Sequence, residues 1–154
     1  MDLPLTGASI DSPLLRDLFH YWQGLWRGDR LPGRRDIDPA DLRPILPYLF
    51  LVDVEPEPAG LRFRLVGTAL VTRLRHDPTG RPVREAFPAA DWPAIEPDYR
   101  AAIDDRRPIC RKVDLHGPDS RSHSYERLLL PLAADGFAVD MLLGGAKMRE
   151  PAGS

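Results

Sequence analysis

Residues 48–66, with the sequence YLFLVDVEPEPAGLRFRLV, decide the fold of this 154-residue chain. Residues 48–55 form an almost continuous apolar run, which is typical of a mostly buried strand. Residues 56–60 are rich in proline and glycine and indicate a turn. Residues 61–66 alternate apolar and basic side chains, as a half-exposed strand does. The stretch therefore predicts a β-hairpin.

Three more strands are expected further along the chain. They are predicted at residues 109–115, 124–132 and 137–146, and Asp135-Gly136 is a hairpin turn signal between the last two. Between the first hairpin and these strands the pattern is helical. Residues 68–74 can form two turns, and Asp91 opens a helix that ends near Arg106. This order fits an α+β fold, with helices on one face of a five-stranded antiparallel sheet.

The chain begins with a predicted amphipathic helix that Ser12 can cap, with Pro13 in its first turn and Gly28 after its end. Its apolar stripe contains Leu14, Leu15, Leu18, Phe19, Trp22, Leu25 and Trp26. Two interpretations of this stripe stay open. It covers one face of its own domain, or it forms a dimer contact through Leu15, Phe19, Trp22 and Trp26. A short second helix is expected from Asp38 to about residue 46, distorted by Pro44.

Composition and charge describe one ordinary globular domain. Apolar residues make up 43% of the chain and the formal net charge is −2, so no basic field points to nucleic acid. Neither a signal peptide nor a membrane span is expected, which predicts a soluble, cytoplasmic protein. Cys110 is the single cysteine, which excludes an internal disulfide. We expect a flexible N-terminus at 1–11, one domain at 12–148 (its N-terminal helix at 12–28) and a disordered tail at 149–154.

Several spaced motifs carry a resemblance to a known family. They are TGRPVREAFP at 79–88 before the Asp91 helix, LP at 31–32, DIDPADL at 36–42, LPYL at 46–49, FRLVGT at 63–68, LPL at 130–132 with Asp135-Gly136, and Tyr21-Trp22. Together they resemble a stand-alone PAS subfamily of mostly alphaproteobacterial proteins, over about residues 14–148. The resemblance implies a PAS fold and a sensory or regulatory module that binds a small ligand or a protein partner. The chain resembles the stand-alone members, for which no output domain is expected, so we expect action through a signalling partner. A homodimer is also expected.

The resemblance also directs attention to cofactors, and we expect none. Photoactive flavin PAS domains need a cysteine in the helix after their glycine-rich motif, and residues 80–83 have none. Cys110 lies in a later predicted strand, where a packed thiol is the simpler interpretation. Haem-binding relatives use an axial histidine, for which His76 is the candidate, although it borders a turn. His116 and His123 flank a loop and lack a third ligand, so no metal site is expected.

A PAS-type pocket would lie between the concave sheet face and the middle helices. The candidate lining residues are Leu51, Asp53, Phe63, Leu65, Leu70, Leu74, Phe87, Tyr125, Arg127 and Leu129. For most of these residues, packing in the core is the simpler interpretation, because apolar residues at strand spacing usually serve it. If Arg127 or Asp53 faces inward, it must be paired. An inward-facing Arg127 could bind a ligand carboxylate. A structural pair with Asp53 or Glu126, or plain exposure to solvent, is the simpler interpretation.

Enzymatic and nucleic-acid functions have little support in the sequence. No nucleophile elbow or phosphate loop is present, and Asp104-Asp105 stand beside Arg106-Arg107 as a solvated charge cluster. Two alternatives to a ligand- or partner-binding PAS module stay open. One is a small cystatin-like α+β enzyme or binding protein, and the other is a structural partner-binding domain with a filled core.

Overall fold

The predicted hairpin lies at one edge of a five-stranded antiparallel sheet. The computed structural model describes residues 5–56, 60–116 and 122–149. Its strands are β1 (Leu49–Val54), β2 (Leu61–Val66), β3 (Ile109–His116), β4 (Ser122–Leu132) and β5 (Met141–Met148). They lie in the order β2-β1-β5-β4-β3, so the first and last strands of the chain meet in the centre. The sheet that the alternation predicted is confirmed.

In the part of the chain that the structure describes, three α-helices accompany the sheet: α1 (Pro13–Gly24), α2 (Thr68–Leu74) and α3 (Trp92–Asp104). The hydroxyl of Ser12 accepts a hydrogen bond from the N–H of Leu15, the capping contact expected from the sequence. The helix ends at Gly24, four residues before the predicted stop at Gly28. The predicted second helix is instead a 3-10 segment, Pro39–Tyr48, because the internal prolines lack the N–H donors that an α-helix needs.

Each face of the sheet carries its own apolar core. On the face that we call the outer face, α1 and the 3-10 segment pack against Leu49, Leu128, Leu130 and Leu143. On the inner face, α3 packs against residues that include Val52, Leu129 and Leu142. Adjacent residues of one strand thus serve different cores, because side chains alternate across a strand.

The packed part of the chain begins earlier than predicted. Gly7–Ser9 forms a 3-10 turn, and Ile10 is fully buried in the outer core, although residues 1–11 were expected to be flexible. Residues 1–4 and 150–154, where the remaining flexible terminus and most of the tail were predicted, lie outside the described residues. Within the described residues, no helix is long and apolar enough to cross a membrane.

The apolar stripe of α1 covers the outer face of its own sheet. Leu15, Phe19 and Trp22 are at most 2% exposed, and the indole N–H of Trp22 donates to the Pro131 carbonyl at 2.9 Å. Trp26 is half-buried, with its ring at 5.2 Å from that of Trp22. The prediction that these residues form a dimer interface is therefore wrong for the three buried ones, which the sheet already covers. Whether two copies pair elsewhere stays a prediction.

Candidate functional site

The ten predicted pocket residues are divided between the two faces. Phe63, Tyr125, Arg127 and Leu129 lie on the inner face, where Leu70 and Phe87 also pack, and Leu74 is half-buried at the end of α2. Leu51, Asp53 and Leu65 lie on the outer face. The expectation of one pocket lined by all ten residues is therefore corrected.

A β-bulge explains the position of Leu65. Leu51 pairs with Leu65, but the next residue, Val52, pairs with Phe63, so one extra residue of β2 is inserted between the two pairs. Such an insertion moves the following side chains to the other face of the sheet. Leu65 is consequently 47% exposed on the outer face, whereas Phe63 is buried on the inner one. Residues 61–66 alternate regularly and carry no signal of the bulge.

Aromatic side chains fill the inner face. The Phe50 ring lies so close to Gly144 that an added Cβ there would stand 2.1 Å from its Cζ atom. Phe63 meets Phe50 edge-on at 5.9 Å between ring centroids, and Trp92 lies 5.9 Å from Tyr99. Glycine at position 144 therefore gives Phe50 the space to pack flat against the central strand β5.

Arg127 has a different partner from those expected. Its Nη2 donates to Oδ2 of Asp98 on α3 at 2.5 Å, and the guanidinium lies 5.2 Å above the Tyr99 ring. Asp53 is on the opposite face and pairs with Arg64 at 3.7 Å. Glu126 also faces the outer side, because it directly precedes Arg127 on the strand. Arg127 is therefore in an ion pair, but the predicted partners Asp53 and Glu126 are wrong: the helix supplies the carboxylate, which strand spacing could not reveal.

An apolar groove opens on the outer face beside β1 and β2. Its volume is about 460 Å³, within the roughly 300–1,000 Å³ typical of small-molecule sites. It is lined by Arg34, Ile37, Pro39, Leu42, Arg43, Leu46, Pro47, Leu49, Phe50, Leu51, Leu65, Val66, Gly67, Thr68 and Leu143. Of the predicted pocket residues, only Leu51 and Leu65 belong to it. The other lining residues were not predicted, because residues 38–46 were expected to form a distorted helix, whereas the 3-10 segment forms one wall.

Two arginines give this groove a cationic rim. Arg34 donates from Nη1 to the Ile37 carbonyl at 3.3 Å, and Arg43 is exposed with no polar partner among the described residues. The carboxylates near the rim accept hydrogen bonds from neighbouring residues. Asp38 accepts from the Ala40 N–H at 3.0 Å, and Asp41 accepts from the Tyr21 hydroxyl at 3.0 Å. Neither carboxylate lines the groove, so the charged side chains that a bound molecule would meet there are Arg34 and Arg43.

The single cysteine lies on the outer face, away from the aromatic inner core. Cys110 packs beside the outer cluster, and its thiol donates weakly to Glu126 Oε2 at 3.5 Å. Burial, reinforced by the Glu126 carboxylate, raises the pKa of the Cys110 thiol to about 12. At neutral pH the thiol is thus protonated and a poor nucleophile.

The histidine and metal candidates can be placed in part. His76 is exposed after α2, and its Nδ1 contacts the Leu74 carbonyl at 3.1 Å. The side chains of His116 and His123 lie outside the described residues. Where the structure describes side chains, no three His, Cys, Asp or Glu residues converge as metal ligands would.

The strand order of the sheet, and the helical connection between β2 and β3 on its inner face, place the protein among the α+β domains that are built on a single sheet. A sequence model described as PAS domain matches residues 10–146. The chain therefore belongs to the PAS domain family, as the motifs had indicated. No curated protein matches the chain at a significant level.

Solved structures agree with this fold. The Rhodobacter sphaeroides LOV protein is 16% identical with a TM-score of 0.57, over 76% of this chain and 71% of that one. A PAS domain from Colwellia psychrerythraea is 12% identical with a TM-score of 0.56, over 73% and 98% of the two chains. The LOV domain of an Erythrobacter litoralis blue-light activated histidine kinase is 17% identical with a TM-score of 0.53, over 69% and 99%. At these identities the likeness concerns the fold alone.

The residues of the inner face do not fit a photoreactive flavin. One of the similar structures is described through a flavin analogue in a light-oxygen-voltage domain. Here the thiol of Cys110 is on the opposite face of the sheet, beside Glu126, and cannot reach a group held among Phe50, Phe63 and Tyr99. His76 is likewise exposed and outside the inner core, so it does not fit as an axial haem ligand.

Proposed function

We propose that this protein is a non-catalytic PAS-type regulatory module that binds a small amphipathic acid in the outer groove. The observation that carries the proposal is the groove itself, which is almost wholly apolar along the walls and cationic at the rim. Binding would bury a hydrocarbon chain, worth about 0.8 kcal/mol for each CH₂ removed from water. Membership of the PAS family supports a sensory role for such binding.

The position of the groove suits a regulatory site. One wall is the 3-10 segment, and the opposite wall is formed by Leu65 at the bulge and by Thr68 at the start of α2. Gly67 leaves no room for a side chain, because an added Cβ would lie 2.4 Å from the Pro47 carbonyl oxygen. Ligand binding would therefore alter the close contact between the 3-10 segment and the start of α2. A partner protein could recognise that change.

Titration with decanoate, and with its uncharged analogue decanol, tests the proposal. Two-dimensional NMR should show saturable shifts for both ligands at Leu46, Leu65 and Thr68. Arg43→Ala should weaken decanoate by about two- to fivefold and leave decanol unaffected, as expected for one exposed charge. Arg84→Ala is the matched control, since Arg84 is also exposed and without a polar partner among the described residues. Equal effects of the two variants, or no saturation, would contradict the proposal.

A protein occupant of the same groove is the second candidate, and the exposure of Leu65 favours it. Leu65 is 47% exposed on the edge strand β2, where a second copy of the chain could cover it. Sedimentation velocity of the wild type and of Leu65→Asp distinguishes the cases. A dimer that the substitution dissociates supports pairing through the groove, whereas a monomer in both excludes it at the concentrations used.

The proposal also makes a spectroscopic prediction. The purified protein should show no absorption bands of flavin or haem in the visible range. A coloured preparation whose chromophore remains bound through gel filtration would contradict the assignment of the outer groove as the ligand site. Native mass spectrometry of the same preparation would show the mass of any ligand retained from the cell.

A further inference from the structure

A small polar cavity lies beside the turn between β4 and β5. Its volume is about 120 Å³, which suits a group of a few non-hydrogen atoms, since sites for drug-sized ligands occupy roughly 300–1,000 Å³. Its lining comes from this turn and from the loop that follows α1. The N–H of Leu31 donates to the Gly136 carbonyl at 2.9 Å. The N–H of Ala133 donates to the Pro32 carbonyl at 3.0 Å. All four residues are buried, so the base of the cavity is fixed backbone.

The side chain of Arg30 is held against this turn. Its guanidinium lies 5.2 Å from the centroid of the Phe137 ring. Its Cβ atom would stand 3.3 Å from a Cβ added at Gly136. Gly136 has a φ of 86°, in the left-handed region that favours glycine, so the turn itself requires a residue without a side chain there. The turn therefore sets the position of Arg30 at the cavity.

Three arginines, Arg27, Arg30 and Arg35, line the cavity. All three are exposed, and none of them forms an ion pair or a side-chain hydrogen bond with the described residues. A guanidinium presents its N–H donors in a planar fork that matches the oxygen atoms of a phosphate group. The cavity therefore brings together the donors that phosphate recognition uses.

The two carboxylates that line the cavity are bonded to the backbone and not to these arginines. Asp36 accepts from the N–H of Gly33 at 2.8 Å. Asp135 accepts from two N–H groups of the turn, both at 2.8 Å. Three guanidinium groups against two carboxylates leave an excess of one positive charge in the lining. Arg106, whose Nη2 donates to the Gly136 carbonyl at 3.2 Å, adds a further positive charge beside it. The lining thus favours an anion.

We propose that this cavity binds a phosphate group, held by the guanidinium groups of Arg27, Arg30 and Arg35. Free phosphate and a mononucleotide both carry this chemistry. The Phe137 ring, 43% exposed beside Arg30, offers the base of a nucleotide an apolar surface outside the cavity. The cavity shares no lining residue with the groove, so the site does not depend on the function proposed above.

Titration of ¹⁵N-labelled protein with sodium phosphate, and separately with adenosine monophosphate, tests this site at constant ionic strength. The backbone N–H signals of Gly33, Ala134 and Gly136 should shift and saturate. Arg35→Ala should weaken phosphate binding by about two- to fivefold, as expected for one exposed charge. Arg84→Ala is the matched control, because Arg84 is also exposed, has no polar partner among the described residues and lies outside the cavity.

The outcomes separate this site from general attraction of anions. Saturable shifts that Arg35→Ala weakens and Arg84→Ala does not would support the phosphate site. Shifts that do not saturate, or equal weakening by the two variants, would overturn it. Phosphate binding that depends on Arg43 of the groove instead of Arg35 would also overturn it.

Phe137→Ser distinguishes the two sources of the phosphate group. Binding of adenosine monophosphate that this variant weakens, with phosphate binding unchanged, would support the site and identify a nucleotide as its ligand. Equal affinity of the wild type for both ligands, unaffected by Phe137→Ser, would support the site and identify the phosphate group alone as what it recognises.

Discussion

The carboxylate of Glu126 accepts a hydrogen bond from the backbone N–H of Ser12 at 2.7 Å. A second bond, from the N–H of Asp11, is 2.9 Å long. Glu126 lies on β4 and is 2% exposed, whereas Ser12 is the capping residue of α1. One buried carboxylate thus joins the start of the N-terminal helix to the sheet, 114 residues away in sequence. It fixes where α1 begins on the outer face.

Replacing this carboxylate should weaken the attachment of α1. Glu126→Gln removes the charge from both hydrogen bonds, and bonds to charged groups contribute about 1.5–3 kcal/mol each. We expect the free energy of unfolding to fall by about 1–3 kcal/mol in urea titrations followed by circular dichroism. Glu85→Gln is the control, because Glu85 is exposed and its ion pair with Arg81 at 3.5 Å is weak. Equal stability of the two variants would show that Glu126 is not a structural anchor.

The two tryptophans of the α1 region should differ in their tolerance of phenylalanine. Trp22→Phe loses the bond to the Pro131 carbonyl and leaves that acceptor short of a donor, at a cost of about 1–3 kcal/mol. Trp26→Phe removes an N–H that has no partner among the described residues, so only packing is lost. Urea unfolding should therefore rank Trp22→Phe as the less stable variant.

A charge at position 22 should unfold the domain instead of separating a dimer. Trp22→Glu would bury a carboxylate against the sheet without a partner, which is strongly unfavourable. Circular dichroism should show the loss of sheet structure together with the helix. A folded Trp22→Glu variant would contradict the packing described here.

Local patterns were sufficient to predict the fold. Alternation in residues 61–66, the turn at Asp135-Gly136 and the cap at Ser12 each act over a few residues, and the structure contains the corresponding strands, their hairpin connection and the helix. The length of the 3-10 segment was harder to foresee. Pro44 signalled a distortion, but Pro47 and the contacts with β1 decide how far the segment runs.

The sites depended on contacts that no local pattern encodes. Arg127 was a correct candidate for a buried charge, yet its partner Asp98 is 29 residues away on another element. Leu65 was assigned to the inner pocket because alternation places it with Phe63, and the bulge reverses that placement. A one-residue insertion in a strand therefore determined which residues line the groove.

Gly144 should tolerate no side chain while Phe50 is present. Gly144→Ala would place its Cβ 2.1 Å from the Phe50 ring, and overpacking of this kind costs about 1–3 kcal/mol. Phe50→Leu should partly rescue the loss in the double variant, since the clash is between these two positions. Gly24→Ala is the control, because an added Cβ there meets nothing within 4 Å, and it should be neutral or stabilising. Additive effects of Phe50→Leu and Gly144→Ala would exclude the proposed clash.

Cys110 should react slowly with thiol reagents in the folded protein and faster as the pH rises. Burial holds the pKa of its thiol at about 12, against an ordinary value of 9.0, and only the thiolate reacts. At pH 8 we expect labelling to be on the order of 1,000-fold slower than in urea, in proportion to the thiolate fraction. The native rate should keep increasing above about pH 10, where the unfolded chain, with its ordinary pKa of 9.0, is close to its plateau. The chain has one cysteine, so the incorporated label reports this site alone.

The same raised pKa has a consequence for stability. The folded state holds the Cys110 proton more tightly than the unfolded state. The protonated thiol therefore stabilises the fold fully below pH 9, and this stabilisation is lost as the pH rises toward 12. The Glu126 carboxylate is the second cause of the shift, after burial. Glu126→Gln should therefore lower the thiol pKa and accelerate labelling under conditions where circular dichroism shows the variant folded. A native rate equal to that in urea would mean that the thiol is exposed, and would contradict its packing against the outer core and Glu126.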